Sequence, residues 1–188
     1  MPGKIVLFSN VSLDGYIEGD GHDIDWHRVD EELHQHFNDE LAPAGGFLSG
    51  RRTHQLLADF WPTADEDPES TPTMREFAGI WRTMPKWVYS TTLERADWNT
   101  TVVSRVDPAE VRALAAAADG DLVLSGAELV KAFRAHDLID AYQIYVQPYL
   151  VGRGTPLFSP TDTAAPLRLD RSRTFSNGVV LLRYERGE

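Results

Sequence analysis

The 188-residue chain contains no cysteine. That absence excludes disulfides, thiolate metal sites and a cysteine nucleophile. Nor does any apolar run approach the roughly 18 residues that a membrane-spanning helix needs. Residues 1–10 are a short strand-like run without a basic n-region or cleavage site, so no signal peptide is expected and the cytoplasm is the default location. Positive charge is scarce: 18 Lys and Arg face 29 Asp and Glu, for a formal net charge of −11. Phosphate backbones and anionic membrane surfaces recruit clustered Lys and Arg, so neither nucleic acid nor membrane is an expected partner. A phosphorylated small ligand stays open, because a few local arginines suffice for it. Internal repeats, low-complexity tracts and the G-x-G-x-x-G fingerprint are also missing.

What is there alternates between strand and helix, which predicts one α/β domain over residues 1–188 with a sheet covered on both faces. Residues 4–12 read as a buried strand. Trp26, Val29, Leu33, Phe37 and Leu41 recur at helical spacing, predicting a helix over 26–41. Strand 45–49 and helix 51–58 follow. Residues 62–72, acidic and Pro-rich, read as an exposed loop before a helix over 74–84. Strands are expected at 86–91 and 101–104. Asp107, Pro108 and Glu110 make a strong helix start: a capping acid, proline at the first helical position and an acid in the first turn. Strand 121–124, a helix opening at Ser125-Gly126 and strand 139–147 come next. The end reads as an antiparallel hairpin, 168–175 and 179–184, turned by Ser176-Asn177-Gly178. A mostly parallel sheet with a C-terminal antiparallel hairpin is therefore expected.

Ligands of open α/β sheets bind at strand carboxyl ends, beside helix N-termini. Three strand ends carry suitable residues. Gly50-Arg51-Arg52-Thr53 combines a glycine, which permits close approach, with guanidinium donors; a tight turn with solvated arginines would look the same. Ser90-Thr91-Thr92 offers hydroxyls for a phosphate or for capping its own turn. Ser125-Gly126-Ala127-Glu128-Leu129 would let a pyrophosphate lie against a helix start, or simply pack closely. The six histidines are expected at the surface. His34 and His36, two apart, point to different sides of a helix and cannot chelate together, so no metal is expected.

These runs, in this order, resemble a known family. Ser9-Asn10-Val11-Ser12-Leu13-Asp14-Gly15-Tyr16-Ile17 resembles the opening strand of the riboflavin-biosynthesis deaminase–reductase C-terminal domain family, within the dihydrofolate-reductase-like superfamily. Gly50-Arg51-Arg52-Thr53 and Pro85-Lys86-Trp87-Val88-Tyr89-Ser90-Thr91-Thr92-Leu93 are similar to its cofactor turn and second cofactor strand. Leu138-Ile139-Asp140 and the stretch from Gln147 to Phe158 are similar to its late strand and glycine-rich loop. The resemblance implies a dihydrofolate-reductase-like three-layer α/β fold and an NADPH-dependent reductase of a pterin- or pyrimidine-like heterocycle. It is comparable to the 5-amino-6-(5-phosphoribosylamino)uracil reductase domain of riboflavin biosynthesis. It implies that Gly50, Arg51, Arg52 and Thr53 hold cofactor phosphates, and that Ser90, Thr91 and Thr92 lie near the 2′-phosphate. Ser125, Gly126, Ala127, Glu128 and Leu129 would line the pyrophosphate. Ser9, Asn10 and Ile17 would flank the nicotinamide, with Gly15 and Gly19 permitting a mobile loop over it.

Reduction of a C=N bond also needs a proton, which a carboxyl in an apolar pocket can supply, and the resemblance implies that this acid lies on the first helix. Asp30 is the candidate, with Glu31 and Asp25 behind it, although acids favour a first helical turn for dipole reasons alone. Trp26 and Trp61 could stack on a flat substrate, or serve as core or rim. After Gly50 the family's Asn-Pro and Leu-x-x-Arg elements, which serve the phosphoribosyl tail, are replaced by Phe60-Trp61-Pro62. A non-catalytic nucleotide-binding module on the same fold and a true dihydrofolate reductase are the alternatives. A homodimer through late apolar strand residues such as Tyr142, Ile144, Tyr145 and Val146 is a further expectation, although core packing would account for them equally.

Overall fold

The structure, a computed structural model, describes residues 3–159 and 163–187. In chain order its elements are β1 (Ile5–Ser12), β2 (Tyr16–Gly19), α1 (Glu31–Leu41), β3 (Gly46–Gly50), α2 (Arg51–Ala58), α3 (Pro72–Thr83), β4 (Lys86–Tyr89) and β5 (Thr100–Val103). Then follow α4 (Pro108–Ala117), β6 (Leu122–Ser125), α5 (Ala127–Ala135), β7 (Ala141–Gln147), β8 (Gly154–Pro156), β9 (Leu167–Thr174) and β10 (Val180–Arg186). The main sheet has the order β5-β4-β3-β6-β1-β7-β10-β9. Its strands from β5 to β7 run parallel, and the β9–β10 hairpin adds on antiparallel to β7. This is the expected mostly parallel sheet closed by a C-terminal hairpin.

Side-chain alternation divides the core between the two faces of the sheet. Ile5 and Leu7 of β1, Leu122 and Leu124 of β6 and Tyr142 of β7 pack with Val111 and Ala115 of α4 and with Leu129, Val130 and Phe133 of α5. Phe8 of β1, Val123 of β6 and Tyr145 of β7 turn the other way, onto Leu33, Phe37 and Leu41 of α1. Leu33 is wholly buried, and truncating such a leucine to alanine costs about 2–5 kcal/mol.

Three helices start on capping side chains. Asp30 accepts from the Leu33 amide at 3.0 Å, Thr71 from that of Met74 at 3.3 Å, and Asp107 from those of Ala109 and Glu110 at 2.9 and 3.3 Å. Proline occupies the first helical position of α3 and α4.

Several expectations need correction. The predicted helix over 26–41 begins only at Glu31, so Trp26 and Val29 precede it. Tertiary partners hold this segment outside a helix: the Arg28 amide donates to Gln147 Oε1 at 2.9 Å, and the Trp26 indole N–H to the Asp23 carbonyl at 3.0 Å. The predicted loop over 62–72 contains a 3₁₀ turn, Trp61–Glu66, with Pro62, Ala64 and Ser70 buried. The histidines are not simply superficial either: His36 and His54 are buried, and His27 and His34 are half-buried.

The strands β2 and β8 were not foreseen. They pair antiparallel as a separate arm beyond the carboxyl end of β1, with Glu18 opposite Thr155 and Gly19 opposite Gly154. Gly154 has φ +149° and lies against the Glu18 carbonyl, where a Cβ has no room. Asp14 anchors the base of the arm. Its carboxylate accepts from Ser12 Oγ at 2.6 Å and from the Val151 and Gly152 amides at 3.0 and 2.7 Å, and these bonds, Ser12's first, hold its pKa down at about 2. Among the described residues, no helix is long and apolar enough to cross a membrane.

Candidate active site

The strands β4, β3 and β6 are neighbours, and their register brings Gly50 beside Tyr89 and Ser49 beside Ser125. Three motifs far apart in sequence thus form one row along the carboxyl edge of the sheet. The helices α2 and α5, which leave this row, differ from the three capped ones. Their N-caps are Gly50 and Gly126, and neither receives a side-chain capping bond. First-turn amides without a capping side chain are receptive to an anion. Gly126 has φ +94°, and a Cβ there would stand 2.7 Å from Thr53 Oγ1, so glycine keeps the gap between the two helix starts open.

Around this edge, Arg51 and Arg52 are exposed and Thr53 is half-buried. Arg51 Nη1 donates to Thr92 Oγ1 at 2.9 Å, which links the first junction to the second. Ser90 Oγ accepts from the amides of Thr92 and Leu93 at 3.2 and 3.0 Å and so caps its own turn, while Thr91 is exposed. Of the third junction, Ser125 and Ala127 are half-buried, Glu128 is exposed, and the Leu129 side chain is in the core, leaving only its backbone for a ligand. Donor amides, guanidinium groups and a glycine gap fit a dinucleotide's phosphates.

Further along the edge, Ser9 and Asn10 sit on β1 where it runs beside β7. The Ser9 hydroxyl donates to the Asn10 carbonyl at 3.0 Å. Asn10 Oδ1 accepts from Gln147 Nε2 at 2.8 Å, and Gln147 is fully buried between Asn10 and the Arg28 amide. Ile17, on the arm, packs against the core. The His27 ring is hydrogen-bonded to the Ile17 backbone, its Nε2 is buried without a partner among the described residues, and burial pushes its pKa down. Sequence reasoning missed both Gln147 and His27. The one hint was a glutamine ending a largely apolar strand just before Pro148.

Asp30 is exposed, and its carboxylate is engaged as the cap of α1. Glu31 accepts from Thr73 Oγ1 at 3.0 Å, and Asp25 is exposed. Trp26 is buried with its ring stacked on Tyr149, centroids 5.9 Å apart. Trp61 is half-buried, edge-on to Phe77 and to His34, the latter one turn beyond Asp30. His34 thus ties Trp61 to the first turns of α1, which Asp30 caps, whereas Trp26 contacts Tyr149 and Asp23.

A cavity of about 570 Å³ lies elsewhere. It is lined by Val6, Ala44 and Asp121, near the amino ends of the parallel strands, and by Glu40, Arg171 and Arg183. Its two arginines are paired, Arg171 with Glu40 at 2.6 Å and Arg183 with Asp170 at 3.3 Å, and Asp39 and Asp121 add negative charge to the lining.

Comparison with known proteins bears on the family and the fold. Residues 3–181 match the model of the RibD C-terminal domain. YyaP of Bacillus subtilis (strain 168) is 31% identical over 182 residues, 96% of this chain and 94% of that one. Dihydrofolate reductase from Enterococcus faecalis, complexed with NADP(H), superposes with a TM-score of 0.69 at 13% identity, covering 100% of this chain and 99% of that one. The deaminase/5-amino-6-(5-phosphoribosylamino)uracil reductase of Thermotoga maritima superposes with a TM-score of 0.64 at 15% identity, covering 99% of this chain and 57% of that one. The fold is dihydrofolate-reductase-like.

Proposed function

Because the chain belongs to the RibD C-terminal domain family, we propose that it is a cytoplasmic NADPH-dependent reductase of a pterin- or pyrimidine-like heterocycle. The observation that carries this is the pair of helix starts without capping side chains, α2 and α5, flanked by Arg51 and Arg52 in one row. Arg51, Arg52, Thr53 and the Gly126–Leu129 amides would hold the phosphates, with Ser90, Thr91 and Thr92 beside them. The bound nicotinamide would supply the hydride. Ser9, Asn10 and Ile17 would flank its ring, and the buried bonds of Gln147 fix Asn10 and the segment before α1 relative to one another. Asp30 is the proposed proton donor, and Trp61 the proposed wall against which a flat substrate rests; Trp26 is buried against Tyr149 instead. Titration of the purified protein with NADPH and NADH tests the proposal. Binding in the micromolar range with preference for NADPH is expected, and failure of both to bind below millimolar concentration refutes it.

A second reading, a binding module without chemistry, is favoured by the exposed position and capping role of Asp30. Measurable hydride transfer to any pterin or flavin substrate excludes it.

We also propose a homodimer through the C-terminal hairpin. Register places Ile144, Leu182, Tyr184 and Leu169 on one face of β7, β10 and β9. Leu169 is exposed, the other three are half-buried, and every residue of β9 is exposed.

A further inference from the structure

The arm carries a carboxylate across the edge that is otherwise receptive to anions. Glu18, on β2, is largely buried, and its two oxygens divide between the arm and the body of the protein. Oε1 accepts from Thr155 Oγ1 at 2.6 Å and faces His22 Nδ1 at 3.0 Å, both in or beside the arm. Oε2 pairs with Arg52 Nη2 at 3.4 Å. The arm springs from the end of β1 and α2 from the end of β3, and β6 lies between those two strands. The Glu18–Arg52 pair therefore spans the carboxyl end of β6, over Ser125 and Gly126.

From this we infer that Glu18 is a phosphate surrogate: its carboxylate competes with a cofactor phosphate for Arg52, coupling arm position to phosphate binding. The inference rests on the assignment of Arg52 to the cofactor phosphates. Linkage is reciprocal, so whatever frees Arg52 from the arm favours phosphate, and phosphate loosens the arm by the same factor. The pair is partly exposed, and such pairs contribute little, so the coupling is about two- to fivefold. Glu18 is thus a positioning residue; it does not touch the reacting atoms.

The test is a double-mutant cycle with an independent readout on the ligand-free protein. Glu18→Gln keeps the shape and the Thr155 bond while removing the charge. It is expected to tighten NADPH binding about two- to fivefold, and to do nothing once Arg52→Gln is present. Weaker binding in Glu18→Gln, or an undiminished effect in the double variant, overturns the inference. Without ligand, Arg52→Gln should speed backbone hydrogen exchange over 16–19 and leave β1 and β7 protected; unchanged exchange there also overturns it. If the unmodified protein binds no NADPH, the cofactor assignment fails separately. Inorganic pyrophosphate then replaces NADPH in the same cycle, and the same tightening is required of it.

Discussion

Asp30 caps α1, and a change of one atom separates that cap from its proposed role as proton donor. Asparagine caps a helix about as well as aspartate, whereas alanine costs about 1 kcal/mol. Asp30→Asn should therefore keep the melting temperature while kcat falls by about 10²-fold or more, the usual contribution of a general acid. Full activity in Asp30→Asn would leave the residue as a cap alone. Lys86 supplies a different residue-scale test. It is buried with Nζ on the Met84 and Trp98 carbonyls, both at 2.7 Å, and over the Trp81 ring, and burial pushes its pKa from 10.5 down to about 8. A folded pKa below the unfolded one means that the unfolded chain binds more protons between those values. The cost of the buried cation is thus fully present below pH 8 and is relieved as pH rises toward 10.5. Denaturant melts should show a stability gain across that window in the native protein that Lys86→Met lacks. Arg51, Arg52 and Ser90 were legible in the sequence because arginine, glycine and hydroxyls at a strand end carry their chemistry locally. Gln147, His27 and Glu18 were not: Gln147 bonds Asn10, 137 residues away, and Glu18 finds Arg52, 34 residues on.

Among the elements, α4 announced itself because cap, proline and first-turn acid are adjacent in sequence, and the structure uses all three. The start of α1 was misplaced because apolar spacing continues through Trp26 and Val29, while the backbone there is held by distant Gln147. The arm was invisible for a related reason. Strands of four and three residues have too little pattern to read, and their pairing spans more than 130 residues. The arm depends on Gly154. Gly154→Ala adds a Cβ against the Glu18 carbonyl at a positive φ, a strain of about 1–3 kcal/mol. Hydrogen exchange should rise over 16–19 while the main sheet stays protected, and catalytic turnover should drop. An unperturbed arm would contradict this.

For the whole molecule, the uncovered strand β9 decides solution behaviour. Its Arg168, Asp170, Arg171 and Arg173 discourage pairing along the strand edge, so the proposed homodimer uses the face on which Leu167 and Leu169 stand exposed beside Tyr184 and Leu182. Light scattering at micromolar concentration should give a dimer, and Leu182→Asp, on the apolar face of β10, should give a monomer. A monomeric native protein would exclude the interface. The order of the sheet has a consequence for how the chain is made. The inner strand β1 ends at Ser12, whereas its partners β6 and β7 begin only at Leu122 and Ala141. While the residues between them are made, this strand is without either neighbour. Contacts so distant in sequence fold slowly, because the loop must close before they can contribute. The strand Ile5–Ser12 therefore stays unpaired until Leu122–Ser125 and Ala141–Gln147 have been made, and the carboxyl edge that carries the candidate site comes together no earlier.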